Sequence, residues 1–325
     1  MEYVNFGSAG VKVSPIALGL GFRGQSSSDE AQRLIEHAIG QGINLIDCAN
    51  IYAMLDDTSQ TGESETILGR VLKTKRNDVV ITSKVTEPVG PGPNDSGSSR
   101  YHIMREIEQS LRRLQTDHID VYLLHVFDAT TRLEETVRAL DDLVRQGKIL
   151  YPGCSNFTPM QVCRGLWLQD RLGATPFVCA QNQYSLLYRS GDADMFELLR
   201  QEGLGLMAYS PLRMGLLTGR YTPGEAPPDG SFWSTKSREK YNAYFLHGGQ
   251  VCPVVQAIAQ QRGKSMAQVA MNWVISKPEV SVAISGSDTI EQIDENLGAV
   301  GWRLTADEME LLDDASRLAC AGVVA

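Results

Sequence analysis

The chain has 325 residues, 42% hydrophobic and 21% charged, and its net charge is −9. That acidity, with no Lys/Arg-rich stretch, argues against a nucleic-acid partner, and no apolar run approaches the ~20 residues that span a bilayer. No secretory signal is read at the N-terminus. The six cysteines are scattered without a Cys-x-x-Cys, and three of them, Cys48, Cys154 and Cys179, fall in apolar strand-like segments, which suits reduced, buried thiols in the cytoplasm better than a disulfide or metal framework.

Residues 3–13, with the turn Gly7-Ser8-Ala9-Gly10, predict a hairpin. A strand follows at 15–19, then a helical stripe of Ala31, Leu34, Ile35, Ala38 and Ile39. Strands are predicted at 43–47 and 79–84, then a helix on Ile103, Ile107, Leu111 and Leu114. The strand at 119–125 leads to a helix on Leu133, Val137, Leu140 and Val144, with a capping box at Thr131 and Glu134. Strands at 148–154, 177–181, 205–209 and 280–285 complete the set, and Thr305 with Glu308 marks the start of a last helix. Gly42, Gly147 and Gly203 stand where helices should stop. Several strands are continuous apolar runs, as expected when both faces are buried. Eight strands alternating with helices favour one closed (β/α)8 TIM barrel over residues 1–325, with the hairpin plugging its bottom. Two long connections, 85–99 and 210–251, follow strands and read as loops on the face where barrels keep their active sites.

Polar residues end the apolar runs: Asp47, Lys84, His125, Asn156 just past Cys154, Gln181 and Tyr209. Singly, each has a plain structural explanation. Together, in a barrel, they converge on one mouth. Tyr52 stands five residues past Asp47. A phenol titrates near ~10, and a nearby ammonium favours its ionised form. Lys84 supplies that charge, Asp47 holds Lys84, and His125 bonds a substrate oxygen. Such a set suits protonation of an alkoxide as hydride reaches a carbonyl carbon. It does not suit acyl transfer, because no Ser or Cys nucleophile has an evident base.

The segments at 45–52 (LIDCANIY), 62–70 (GESETILGR), 110–125 (SLRRLQTDHIDVYLLH), 153–157 (GCSNF), 181–185 (QNQYS), 208–212 (AYSPL) and 291–296 (EQIDEN) resemble the aldo-keto reductase family. The run at 92–95 resembles the branch with potassium-channel β subunits and bacterial general stress reductases. The resemblance implies a tetrad of Asp47, Tyr52, Lys84 and His125, and reversible hydride transfer between NAD(P)H and aldehydes or ketones. It implies that Ser155, Asn156 and Gln181 hold the carboxamide and that Tyr209 stacks on the nicotinamide. It further implies that Ser210, Pro211, Leu212, Gly215 and Leu217 follow the pyrophosphate, and that Gly286, Ser287, Asp288, Gln292 and Asn296 surround the adenosine. The aromatics Phe22, Phe127 and Phe157 suggest a substrate pocket, with Phe232 and Trp233 in the long loop.

Where the family usually has an arginine for the 2′-phosphate of NADPH, this chain has Asp288. Asp288 has two compatible readings: it N-caps the next helix, with Glu291, and it repels the phosphate while accepting from a ribose hydroxyl, which favours NADH. Arg213 is a second candidate for a phosphate contact. The expectation is NADPH, with NADH the alternative. Gly19-Leu20-Gly21-Phe22-Arg23-Gly24 also matches a dinucleotide fingerprint. That Rossmann-type dehydrogenase is the weaker reading, because Gly24 falls outside the helix and Tyr52, Lys84 and His125 stay unexplained. A cofactor-loaded regulatory subunit with little turnover is the rival from another class.

Overall fold

The chain opens as an antiparallel pair, β1 (Val4–Phe6) and β2 (Ala9–Val13). Eight further strands follow: β3 (Ile16–Gly19), β4 (Leu45–Asp47), β5 (Val80–Val85), β6 (Ile119–Leu124), β7 (Ile149–Ser155), β8 (Cys179–Gln183), β9 (Gly205–Tyr209) and β10 (Val280–Ser285). Each pairs in parallel with the next, and β10 returns to β3, closing the sheet. This is the (β/α)8 barrel read from the sequence. Closure leaves no open sheet and no strand-order reversal, so the Rossmann alternative is overturned. The computed structural model describes residues 1–320 except 23, 26, 190, 191, 223, 224, 230 and 247, and no side chain at 56, 58 or 243–246. Arg23 of the glycine-rich run therefore lies outside the described residues.

Period-two alternation explains the continuous apolar runs. Ala17, Leu45, Val121, Leu123, Met207 and Val282 share the barrel interior with Phe6, Ala9 and Val13 of the hairpin. Their neighbours Ile16, Leu18, Ile46, Ile81, Tyr122 and Leu206 face the helices. Both faces are buried, so apolar residues fill both over most of the strand length. The helices against the strands include α1 (Ser28–Gly40), α2 (Glu63–Lys75), α3 (Arg100–Leu114), α4 (Leu133–Arg145), α5 (Pro159–Leu172) and α6 (Asp192–Glu202).

The hairpin closes the end at which the strands begin. Gly7 holds φ at +55°, and a Cβ there would sit 2.4 Å from the Gly205 nitrogen and 2.7 Å from the Val178 carbonyl oxygen. Its own N–H donates to Ser281 Oγ at 3.2 Å. Only glycine fits this approach.

Three expectations at element ends and in loops meet different outcomes. Thr305 and Glu308 bond reciprocally, at 2.7 and 3.3 Å, as a capping box at the start of α11 (Ala306–Cys320). Thr131 does not cap α4. The N-cap is Arg132, without a side-chain bond, and Thr131 Oγ1 donates to Asp128 Oδ2 at 2.6 Å. The nearby carboxylate outcompetes the helix terminus for the hydroxyl. The second part of the 210–251 connection is ordered into helix. It contains α7 (Arg238–Leu246) and the start of α8 (Gly248–Arg262), followed by α9 (Met266–Ile275) and, past β10, α10 (Ile290–Leu297). Pro253 inside α8 hides that helix from a periodicity reading.

Candidate active site

Asp47 ends β4, Lys84 lies near the end of β5, and His125 follows β6 directly. The His125 N–H donates to the Val85 carbonyl at 2.7 Å, continuing the β5–β6 pairing by one residue. Tyr52 comes from the connection between β4 and α2. Lys84 is fully buried, and its Nζ donates to Asp47 Oδ2 at 2.7 Å and to the Cys48 carbonyl at 2.8 Å. The same nitrogen stands 4.7 Å from the centroid of the Tyr52 ring. Tyr52 Oη lies 3.5 Å from His125 Nε2, with the two rings edge to face. The four residues are thus one cluster.

Burial is the largest single influence on Lys84 and opposes its charge, but Asp47, Tyr52 and Cys48 outweigh it, so its pKa is raised. Burial first, and the Lys84 charge second, hold His125 down to about 3. The imidazole is therefore neutral near pH 7. Its Nδ1 is buried and without a hydrogen-bond partner. An orphaned buried N–H is rarer than an orphaned acceptor, which assigns the proton to Nε2, the nitrogen nearer Tyr52. The Asp47 carboxylate is held at three points: besides Lys84 on Oδ2, Oδ1 accepts from Thr82 Oγ1 at 2.5 Å and from Gln181 Nε2 at 2.8 Å. Thr82 was not foreseen. It precedes Lys84 by two residues and sits opposite Asp47 in the strand register, so a period-two reading of β5 would have found it.

The residues expected around a carboxamide are also joined. Asn156, left-handed at φ +59°, donates from Nδ2 to the His125 carbonyl at 3.0 Å and to Ser155 Oγ at 3.1 Å. Its Oδ1 accepts from Tyr209 Oη at 2.8 Å. Burial pushes Tyr209 up to about 12, so it stays a neutral phenol. Ser210 (φ +54°), Arg213 (φ +48°), Met214 (φ +52°) and Gly215 turn the chain sharply after β9 and Pro211-Leu212, and Leu217 is buried in the core. The Arg213 guanidinium stacks 5.1 Å from the Tyr188 ring centroid.

A second polar cluster follows β10. Asn296 Nδ2 donates to Ser285 Oγ at 2.9 Å and to Ser287 Oγ at 3.2 Å, while Gly286 faces open space. Thr289, not Asp288, is the N-cap of α10, accepting from the Gln292 N–H at 3.3 Å. The capping explanation of Asp288 is thus set aside; instead its backbone N–H donates to Gln292 Oε1 at 2.8 Å. Gln25 Nε2 donates to the Asp288 carbonyl at 2.9 Å, and its Oε1 is buried without a partner. A Cβ on Gly24 would lie 2.5 Å from the Asp288 carboxyl carbon. The loops after β3 and β10 are therefore clasped together, and Gly24 makes room for a carboxylate.

Phe22 and Phe157 are buried, and Phe127, Phe157 and Phe177 form an edge-to-face row toward α4 and α5. Phe157 also lines a cavity of about 330 Å³ that opens beside Asn156 and Tyr209, with Tyr184, Tyr188 and Phe196 on its walls.

Among the described residues, seven of the eight non-glycine residues with positive φ (Phe22, Leu55, Thr86, Asn156, Ser210, Arg213 and Met214) lie in connections leaving the carboxyl ends of strands. Gln115, at the end of α3, is the eighth. No helix among the described residues is long and apolar enough to cross a membrane.

Residues 15–317 match the family model described as Aldo/keto reductase family. The chain is 34% identical over 307 residues to a probable voltage-gated potassium channel subunit beta of Arabidopsis thaliana, covering 92% of this chain and 91% of that protein. A protein of the same description from Oryza sativa subsp. japonica gives the same identity and coverage. The uncharacterized oxidoreductase YrpG of Bacillus subtilis (strain 168) is 33% identical over 322 residues, covering 97% of this chain and 95% of its own.

Proposed function

The chain belongs to the aldo/keto reductase family, and from that premise we propose that it reduces an aldehyde or ketone with a nicotinamide cofactor, Tyr52 giving the proton. The cofactor supplies the hydride. The observation that carries the reading is the buried Lys84 ammonium beneath the Tyr52 ring, pinned by Asp47. In a low-dielectric site that charge favours the negative oxygen left as the proton departs. Neutral His125, protonated on Nε2, donates to the carbonyl oxygen and orients it toward Tyr52.

The mouth fits a nicotinamide in its chemistry. Ser155, Asn156 and Gln181 offer an amide-matching donor and acceptor set, and Tyr209 offers a half-buried ring beside them. Ser210, Pro211, Leu212, Gly215 and Leu217 would follow the pyrophosphate, and Gly286, Ser287, Asp288, Gln292 and Asn296 the adenosine. The family's expectation is NADPH. Asp288, a carboxylate where the family usually has a cation, is the residue that argues for NADH. The substrate is a small-molecule carbonyl or alcohol. The names of the plant relatives support a second reading, a cofactor-loaded subunit with little turnover.

Oxidation of NADPH and of NADH with a panel of aldehydes tests all three points. The expected result is turnover that falls at least about a hundredfold in Tyr52→Phe, the size of a general-acid contribution. An unchanged rate in that variant removes Tyr52 as the donor. No turnover in the wild type favours the subunit reading, and a strong NADPH preference removes the repulsive role of Asp288.

A further inference from the structure

We infer that Thr82 is a positioning residue for this reaction: its hydroxyl, with the Gln181 amide, fixes the Asp47 carboxylate so that Lys84 stays beneath the Tyr52 ring. The inference rests on the proposal that Tyr52 donates the proton.

A carboxylate bonded only through one oxygen still turns about its Cβ–Cγ bond. Asp47 is denied that freedom because Oδ1 is held by Thr82 and Gln181 while Oδ2 is held by Lys84. All four side chains are buried, with exposures of 3% for Asp47, 0% for Thr82 and Lys84, and 2% for Gln181. Hydrogen bonds to an ionised acceptor are the stronger kind, and here water does not compete for them. Thr82 and Lys84 are two apart on β5, so both point into the barrel, and Thr82 is the register partner of Asp47. The ammonium's influence on the Tyr52 oxygen depends on where the ammonium sits, most of all in a low dielectric.

Gln181 adds a link. Asp47 only accepts, so the Gln181 amide must present Nε2 to it. The same nitrogen lies 3.8 Å from Met207 Sδ. One oxygen of Asp47 thus joins β4 to Thr82 on β5 and to Gln181 on β8. A purely structural threonine would need none of this: valine has nearly the same shape and would suit a strand between apolar neighbours.

The test compares wild type with Thr82→Val and Thr82→Ser, using para-nitrobenzaldehyde as the carbonyl. The apoprotein, with tyrosine isotopically labelled at Cζ, is titrated by NMR, and Tyr52→Phe assigns the Tyr52 signal. Removing the hydroxyl should lower kcat about tenfold, leave KM for the aldehyde within about twofold, and move the Tyr52 titration upward by about one pH unit. Thr82→Ser should restore both. A Thr82→Val protein with unchanged kcat and Tyr52 titration overturns the inference, and so does one that only melts earlier. Should the valine variant not fold, Thr82→Ala reads the same titration. If Tyr52→Phe keeps its turnover, the proton-donor reading itself fails. If Tyr52→Phe is inactive while Thr82→Val behaves as wild type, only the role of Thr82 fails.

Discussion

His125 shows how burial sets the charge of one residue. Its depressed pKa keeps it neutral in the folded protein down to about pH 3, whereas in the unfolded chain it protonates near ~6.5. Between those values the unfolded state binds more protons, so stability rises with pH and is lost as pH falls through that window. Between pH 6.5 and 4 we expect wild type to lose on the order of a few kcal/mol more stability than His125→Asn, seen as a steeper fall in Tm. Thermal melts at stepped pH measure the difference, and parallel curves would show that His125 is not held neutral. Residue types at strand ends made Asp47, Lys84 and His125 legible in the sequence. Thr82 was missed because the charged residue at the strand end stood out and the hydroxyl two places before it, whose partner lies 35 positions away, did not.

At the scale of elements, strands read well because burial on both faces leaves long apolar runs. Caps read less well, because a hydroxyl chooses among nearby partners. Thr131 turns to Asp128, while Thr289 rather than Asp288 starts α10. Thr289→Ala should therefore cost about 1 kcal/mol, read as a lower urea midpoint, while Asp288→Ala should leave helix stability nearly unchanged. The reverse order would return Asp288 to the capping role. The helices α7 and α8 were illegible for another reason. Weak amphipathicity hides both and Pro253 interrupts α8, while Trp233 and Tyr241 tie the region to the core.

At the scale of the molecule, the two ends of the barrel carry different burdens. The hairpin end packs Gly7 against the backbone of β9, where no side chain fits. Gly7→Ala should cost about 2 kcal/mol or more, from the positive φ and the clash together, and should leave kcat and KM for the aldehyde unchanged. Lower Tm with altered kinetics would mean that the two ends are mechanically coupled. The hairpin and the barrel were both readable from the sequence, the first from its turn glycines and the second from the count of alternating elements.

The left-handed residues around the open end have a cost of their own. Each non-glycine held there stores roughly a kcal/mol, and seven together rival the net stability of an ordinary domain, about 5–15 kcal/mol. Directed evolution for heat resistance would find glycine at these positions rewarding, and each such gain would slacken a loop that sets the shape of the opening. Hardiness and competence in this barrel therefore pull against each other at the same few backbone torsions.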